Sequence, residues 1–228
     1  MKRIRWFAAK WPIALRTLAT KMKSHPFRED SLNGFIIERV RDNFINGRYV
    51  EKISYQETLT TPFGDQQIFD RTEYRQLEFS LFSNFPHMEF LDAPRSTQSY
   101  VSKLTELNNF SLTITPLTVD LLKWVASFQS LANTKVTIDS LQISGLELET
   151  DVTARVSISG NKDVREALQR VTKGRRFDLE RVQLKLLHEN HIVGLQLINT
   201  GAAKLEDSLL EDFLPALRQS LPVPKLGE

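Results

Sequence analysis

The order of apolar and polar positions in the first 28 residues predicts an amphipathic helix. At the helical period of about 3.6 residues, apolar side chains recur on one face and cationic side chains occupy the other. The apolar face comprises Ile4, Phe7, Ala8, Trp11, Ala14, Leu15, Leu18 and Met22, and the cationic face comprises Lys2, Arg3, Arg5, Lys10, Arg16, Lys21 and Lys23. Because proline disrupts a helix interior, Pro12 predicts a kink or a helix that begins near it.

The segment from residue 34 to residue 82 alternates between apolar and polar side chains with a period of two. Turn signals at Asn46-Gly47 and at Pro62-Phe63-Gly64-Asp65 separate its strand-like runs. This pattern predicts a three-stranded antiparallel meander with one solvated face. A four-residue apolar spacing within residues 35–45 leaves a helix there as the alternative.

The remainder of the chain predicts a regular order of strands and helices. The predicted elements are strand 110–115, helix 118–131, strand 135–143, strand 146–159, helix 162–172 and strand 177–187, with a turn at Ser144-Gly145. This βαββαβ order is the ferredoxin-like arrangement, extended here by a hairpin strand over 191–198 and a C-terminal helix from Ala203.

Strand 146–159 shows the clearest alternation, with one apolar and one polar face. In the preceding strand the apolar side switches between Asp139 and Ser140, which predicts a bulge or a sharp twist. The fold class is therefore α+β. The predicted segments are a basic amphipathic arm over 1–27, an antiparallel β-rich half over 28–95, and an α+β half over 96–228.

Bulk composition indicates a globular protein of ordinary kind. The 228 residues are 41% hydrophobic and 25% charged, values typical of soluble domains. The apolar run between Lys10 and Arg16 is too short for a signal sequence or a membrane span, so cytoplasmic location is the expectation and an organellar transit peptide the alternative. The chain contains no cysteine, which excludes disulfides, thiolate metal sites and a cysteine nucleophile.

Charge is distributed unevenly along the chain. Residues 1–28 hold eight Lys and Arg and no Asp or Glu, whereas the formal net charge of the whole chain is only +2. The rest of the chain is therefore acidic, and the positive charge is local.

A cationic arm of this kind suggests three roles. It packs on the body of the protein, binds a phosphate backbone or an acidic partner, or lies on an anionic membrane. In the second role the cations neutralise phosphates, and Trp6 or Trp11 inserts or stacks. The candidate binding residues in the arm are Lys2, Arg3, Arg5, Trp6, Lys10, Trp11, Arg16, Lys21 and Lys23.

A second basic cluster surrounds Gly174, at the predicted end of helix 162–172. Its members are Arg170, Lys173, Arg175 and Arg176. Cations at a helix C-terminus stabilise its dipole, and the same residues could contact phosphate. We expect them to share in binding with the arm.

The sequence carries no recognisable catalytic constellation. Glu147, Glu149 and Asp151 project from one strand face, where a solvated surface is a simpler explanation than a cation site. His188 and His191 flank a predicted two-residue turn without an evident third metal ligand. No glycine-rich phosphate loop is present, and strand 146–159 lacks the aromatic side chains on which RNA-recognition domains stack bases. We therefore expect no cofactor and no resident metal.

These observations favour a non-catalytic binding subunit of a multi-component assembly. We expect the arm to contact nucleic acid or an acidic protein surface, and the subunit to form a homo- or hetero-oligomer. The alternatives are a peripheral membrane protein that uses the same arm, and a hydrolase with an unrecognised carboxylate site.

Overall fold

A computed structural model of the chain describes residues 1–223, of mixed α+β structure with 48% strand and 24% helix. The chain divides into two compact units. Unit 1 combines residues 1–8 with the described residues from 114 onward, and unit 2 comprises residues 9–113. Most of the first strand thus belongs to the same unit as the C-terminal part of the chain.

The N-terminal segment is a strand followed by a short helix, and the prediction of one amphipathic helix is wrong. Strand β1 spans Lys2–Lys10 and helix α1 spans Leu15–Lys23. Ile4, Trp6 and Ala8 are buried, with partly exposed residues between them. The period of two in this stretch coincides with a helical stripe, which is why the pattern was ambiguous. Helix α1 begins just after Pro12, as the position of the proline suggested.

Unit 1 is built on an antiparallel sheet. Its strands lie in the order β1-β11-β10-β9-β7-β8, and β6 pairs with β1. The strands are β6 (Thr113–Pro116), β7 (Val136–Glu149), β8 (Val152–Ser159), β9 (Asp178–His188), β10 (His191–Ile198) and β11 (Ala202–Leu205).

Helices cover one face of the unit 1 sheet. They are α3 (Leu121–Ala132), α4 (Arg165–Thr172), a 3-10 turn (Asp207–Leu209) and α5 (Leu210–Ser220). Trp124 of α3 lies edge-on to Trp6, with ring centroids 5.6 Å apart. The Trp124 indole Nε1 donates to the Leu217 carbonyl at 3.2 Å and to Ser220 Oγ at 3.1 Å, which ties α3 to α5. The core of unit 1 therefore lies between these two helices and the sheet.

The ferredoxin-like arrangement is not confirmed. In that fold the first and last strands of the βαββαβ unit are neighbours. Here those two strands are β6 and β9, and they are not paired: β6 lies beside β1, and β9 lies between β7 and β10. Gly145, at φ 62°, stays within β7 at a register shift, so the chain turns at Thr150-Asp151 instead of Ser144-Gly145. The bulge predicted near Asp139 is confirmed by the register shift between Ile138 and Ser140.

The C-terminal region also differs from the predicted long helix. Ala203 lies in β11, which pairs with both β1 and β10, and Ala202, Ala203 and Leu205 are fully buried. Helix α5 begins only at Leu210. A strand this short offers too few residues to display a period of two. The hairpin between β9 and β10, with its turn at Glu189-Asn190, is confirmed.

Unit 2 contains the predicted antiparallel meander and a fourth strand. Its sheet has the order β2-β3-β4-β5, and helices α1 and α2 (Gln98–Leu107) accompany it. The strands are β2 (Asn33–Arg41), β3 (Phe44–Thr60), β4 (Gln66–Phe82) and β5 (Met88–Leu91). The turn at residues 62–65 is confirmed, and the alternative helix over 35–45 is excluded.

The turn predicted at Asn46-Gly47 is wrong. Both residues lie inside β3, and the chain reverses at residues 42–43. A Cβ on Gly47 would lie 2.5 Å from the Ile36 carbonyl oxygen, so the glycine permits close approach of two strands.

Aromatic side chains form much of the core of unit 2. The Tyr100 ring centroid lies 5.0 Å from that of Phe79 and 5.4 Å from that of Phe90, and Phe35 lies 5.1 Å from Tyr49. All five rings are buried. Burial raises the pKa of Tyr100 well above its ordinary value.

Residues 52–75 extend β3 and β4 beyond their neighbours, and we call this segment the ribbon. Strand β2 pairs with β3 only as far as Glu51, and β5 pairs with β4 only from Glu78 onward. Within the described part of unit 2, the ribbon is thus a two-stranded hairpin without a third strand.

Candidate functional site

The face of the unit 1 sheet opposite its buried side chains is polar. Residues that face each other on neighbouring antiparallel strands project to the same side, so the register defines a row across the sheet. Arg3 lies opposite Lys204, Lys204 opposite Gln196, and Gln196 opposite Gln183. The row continues through Ser140 to Ser159.

A second row, two residues along, places two further arginines on the same side. Arg5 lies opposite Ala202, Ala202 opposite Ile198, and Ile198 opposite Arg181. At the usual strand spacing, Arg5 and Arg181 are roughly 14 Å apart. We call the basic members of this side the cationic face, which comprises Arg3, Arg5, Arg155, Arg181, Lys185 and Lys204.

Acidic side chains neutralise only part of the cationic face. Lys185 Nζ lies 3.3 Å from Asp139 Oδ2, and Arg155 Nη2 lies 2.8 Å from Glu180 Oε1. Among the residues that the structure describes, Arg5, Arg181 and Lys204 form no ion pair at 4.0 Å or less. These three cations therefore leave a local excess of positive charge on the sheet.

Arg5 lies in the least favourable position for a lone cation. Its side chain is half-buried, its Nε has no hydrogen-bond partner, and its guanidinium lies 4.8 Å from the centroid of the Phe7 ring. Burial, and then the charge of Arg3, lowers the pKa of Arg5. A neighbouring anion would relieve both penalties, because it supplies the missing acceptor and an opposite charge.

Amide and hydroxyl groups beside the cations have unused bonding capacity. Gln196 Nε2 donates to Gln183 Oε1 at 3.3 Å, while Gln196 Oε1 is buried without a partner. Ser140 and Ser159 continue the same row. The serine hydroxyls can donate to phosphate oxygens, whereas Gln196 Oε1 is an acceptor and can receive a hydrogen bond from a sugar hydroxyl.

The predicted binding residues of the first strand separate into two sets. Arg3 and Arg5 lie on the cationic face, and Lys2 Nζ lies 4.0 Å from Asp207 Oδ1. Trp6 is fully buried beside Trp124, so its proposed insertion into a ligand is wrong. A side chain in the core cannot reach a ligand without unfolding the sheet around it.

The predicted residues of the arm from Lys10 to Lys23 belong to unit 2, where several have structural partners. Trp11 Nε1 donates to the Phe82 carbonyl at 2.9 Å, and Lys21 Nζ donates to the Leu107 carbonyl at 2.7 Å. Arg16 Nη1 lies 3.2 Å from Asp42 Oδ1. Lys10 and Lys23 are exposed. Trp11 and Lys21 thus fasten elements of unit 2 together.

The cluster around Gly174 completes a helix end. Arg175 Nε donates to the Thr172 carbonyl at 3.2 Å and its Nη1 to the Glu147 carbonyl at 3.3 Å. Lys173 is the left-handed C-cap of α4. Arg170 and Arg176 remain exposed. Arg175 and Lys173 therefore have a local structural role, which stabilises the end of the helix.

The acidic and histidine side chains considered in the sequence lie in separate places. Glu147, Glu149 and Asp151 line an open cavity of about 580 Å³ beside Arg175. His188 Nε2 lies 3.2 Å from Asp212 Oδ2. Across residues 1–223, no group of three or more His, Asp or Glu side chains is placed to hold a metal ion.

Sequence reasoning missed Lys204, Arg181 and Lys185 as binding candidates. The alternation in the predicted strand 177–187 already placed Arg181 and Lys185 on one side, and their common charge was the available signal. Lys204 carries no such signal, because the sequence predicts a helix from Ala203 where the structure has the short strand β11.

No protein-family model matches the chain, and no curated protein matches it significantly. Within the described residues, the helices are too short or too polar to cross a bilayer.

Proposed function

We propose that this protein is a non-catalytic binding subunit that holds the phosphate backbone of a nucleic acid on the cationic face of unit 1. The observation that supports this proposal is the grouping of Arg5, Arg181 and Lys204 on one side of a sheet, with no ion pair at 4.0 Å or less among the described residues. The binding surface in this proposal is not the whole predicted arm. It consists of Arg3 and Arg5 of β1 together with cations from β9 and β11.

The character of the face favours phosphate contact over base recognition. Single-stranded nucleic acid is held by cations along the backbone and by aromatic side chains that stack on bases. Phe7 is the one aromatic residue among the positions that β1 presents on this side, and it is half-buried under the Arg5 guanidinium. Binding is therefore expected to depend on charge and to show little sequence preference.

Salt dependence gives a quantitative form to the proposal. Each phosphate neutralised on a single strand contributes about −0.7 to the slope of log K against log salt concentration. Contacts by Arg5, Arg181 and Lys204 together predict a slope of about −2. A protein that bound through one adventitious cation would give a much shallower slope, of about −0.7.

The test is a fluorescence-anisotropy titration of labelled single-stranded RNA and duplex DNA from about 50 to 200 mM salt. The triple variant Arg5→Gln/Arg181→Gln/Lys204→Gln is expected to lose about a hundredfold in affinity at 50 mM salt, and most of the slope. The matched control is Lys123→Gln/Lys135→Gln/Lys162→Gln, which removes the same charge from exposed positions of unit 1 and leaves the cationic face intact.

Equal loss in the two triple variants would show that net charge, and not the cationic face, determines binding. Absence of binding by the wild-type chain at the lowest salt would overturn the proposal outright. Vesicles of anionic lipid and a polyglutamate peptide form parallel arms of the experiment. Stronger binding to either one than to nucleic acid would assign the face to a membrane or to an acidic protein instead.

A further inference from the structure

Exposed apolar side chains are concentrated in the ribbon. Large hydrophobic side chains in this segment are between 41% and 93% exposed. They are Tyr55, Leu59, Phe63, Ile68, Phe69 and Tyr74. A monomeric protein rarely presents so many on a single hairpin, and such surfaces usually contact a partner.

The ribbon also has a free strand edge on β4. Residues 69–75 are all exposed, and β3 is their one strand neighbour in the described chain. Beyond the β3–β4 ladder, their backbone groups make no hydrogen bond among the described residues. An unpaired edge of this kind accepts another strand, and the side chains along it determine which strand fits.

We propose that the β4 edge of the ribbon pairs with the same edge of a second copy of the chain. The two strands run antiparallel about a two-fold axis at Thr72. This pairing joins two hairpins into a four-stranded sheet and makes the protein an isologous dimer.

The sequence of the edge is complementary to itself in this register. Residues 69–75 read Phe-Asp-Arg-Thr-Glu-Tyr-Arg. With Thr72 on the axis, Arg71 of each copy lies opposite Glu73 of the other, and Phe69 lies opposite Arg75. Opposite charges and a cation beside an aromatic ring are both favourable cross-strand pairs.

The pairing can be shifted so that the two-fold axis lies at another residue near Thr72. In the three shifted pairings considered next, two like charges lie opposite each other. An axis at Arg71 places that arginine opposite itself, and an axis at Glu73 does the same for glutamate. An axis at Asp70 pairs two aspartates. Like charges directly opposite each other are destabilising, so the charges select Thr72 among these four positions.

The intramolecular contacts of the ribbon are compatible with the second copy. Arg71 Nε lies 2.9 Å from Glu57 Oε2, and Arg75 Nε lies 3.3 Å from Glu73 Oε1. All four side chains are about half exposed. Each guanidinium has five donors and each carboxylate several acceptor sites, so these groups can add a partner across the axis.

The opposite edge of the ribbon is a poorer match to itself. Lys52 and Glu57 are the charged residues of β3 between 52 and 60. An antiparallel pairing of this edge about Gln56 places Tyr55 opposite Glu57 and forms no pair of opposite charges. Charge complementarity therefore assigns the interface to β4.

A charge-swap experiment tests the interface. Analytical ultracentrifugation from about 1 to 200 µM is expected to show a reversible dimer of the wild-type chain, since an edge contact of this size is weak. Arg71→Glu and Glu73→Arg each convert two attractive pairs into repulsive ones, and each should raise the dissociation constant about tenfold or more. The double variant restores opposite charges and should return to within about threefold of wild type.

The control for the charge change is Arg39→Glu, an exposed position on β2 of the same unit. It is expected to dimerise as wild type does. A monomeric wild-type chain over the whole range, or a double variant as weak as the single variants, would overturn the proposal.

A cysteine pair tests the position of the axis. The natural chain has no cysteine, so Thr72→Cys introduces a single thiol that lies opposite its own copy. Strand pairs fall within the Cα distance that a disulfide requires. Mild oxidation should link Thr72→Cys into a dimer and leave Ser54→Cys, at the same level on β3, largely monomeric.

Equal linkage of the two cysteine variants, or none in Thr72→Cys, would reject an axis at Thr72. Neither experiment requires nucleic acid. A negative result for the dimer therefore does not bear on the proposed function of unit 1. A negative result for nucleic-acid binding likewise does not bear on the dimer.

Discussion

Strand β1 and the outer half of β4 carry similar sequences and have opposite environments. Both contain aromatic and aliphatic side chains among charged ones, and in each an arginine lies over a phenylalanine ring. Yet Ile4 and Trp6 are fully buried, whereas Ile68 is 63% and Phe69 41% exposed. Aromatic and β-branched residues thus favour a strand in both places without predicting whether those side chains are covered.

The neighbours of each strand account for the difference. β11 pairs with β1, and Trp124 of helix α3 packs against the face that carries Trp6. The outer half of β4 has β3 on one edge and no helix or third strand in the described part of unit 2. Burial is therefore a tertiary property, and a strand that lacks it is available for contacts with other molecules.

The largest effect is expected when the buried and exposed aromatic residues are truncated in parallel. Trp6→Ala removes a fully buried ring from the core of unit 1 and should lower the free energy of unfolding by about 3–5 kcal/mol. Phe69→Ala should change it by less than about 1 kcal/mol, because 41% of the residue is already exposed to water. Urea unfolding at low protein concentration measures both values. Similar losses in the two variants would show that the ribbon is covered in solution.

A smaller difference is expected between the base and the tip of the β3–β4 hairpin. Gly47→Ala forces a Cβ to within 2.5 Å of the Ile36 carbonyl oxygen and should cost about 1–3 kcal/mol. Gly64→Ala meets no atom within 4 Å, and its cost of about 1 kcal/mol arises from a backbone φ of 91°. Thermal unfolding compares the two variants. A larger loss at Gly64 would contradict close packing at the base.

Much of the fold followed from the sequence where the pattern was long. The β3–β4 hairpin with its 62–65 turn, helix α3 and the bulge at Asp139 were predicted correctly because each has its own local signal. The ferredoxin-like strand order was not confirmed, because the choice of neighbouring strands depends on contacts far apart in sequence.

The candidate site was predictable only in part, for the same reason. Arg3 and Arg5 were identified from their charge, but the partners that complete the cationic face come from β9 and β11. Only the register brings Lys204 opposite Arg3. Trp6 was misassigned because an aromatic residue among cations has the same sequence signature whether it packs inside or binds outside.

The smallest predicted effect is the change of stability with salt concentration. Its sign is expected to differ between an arginine of β1 and an arginine of β4. Arg5 has Arg3 as its charged neighbour and no ion pair among the described residues, whereas Arg71 pairs with Glu57 at 2.9 Å. Raising salt from 0.1 M to 1 M shortens the screening length from about 10 Å to about 3 Å, which weakens repulsion and attraction alike. Wild type should therefore gain stability relative to Arg5→Gln and lose it relative to Arg71→Gln, each by less than about 0.5 kcal/mol.

Urea unfolding of both variants at the two salt concentrations measures this difference, since urea itself is uncharged. Lys162→Gln, an exposed position of unit 1, corrects for general effects of salt on the protein. Shifts of the same sign in Arg5→Gln and Arg71→Gln would mean that Arg5 is neutralised in solution. The cationic face would then lack the excess charge on which nucleic-acid binding depends, whereas opposite signs would show that β1 keeps its charge available for a ligand.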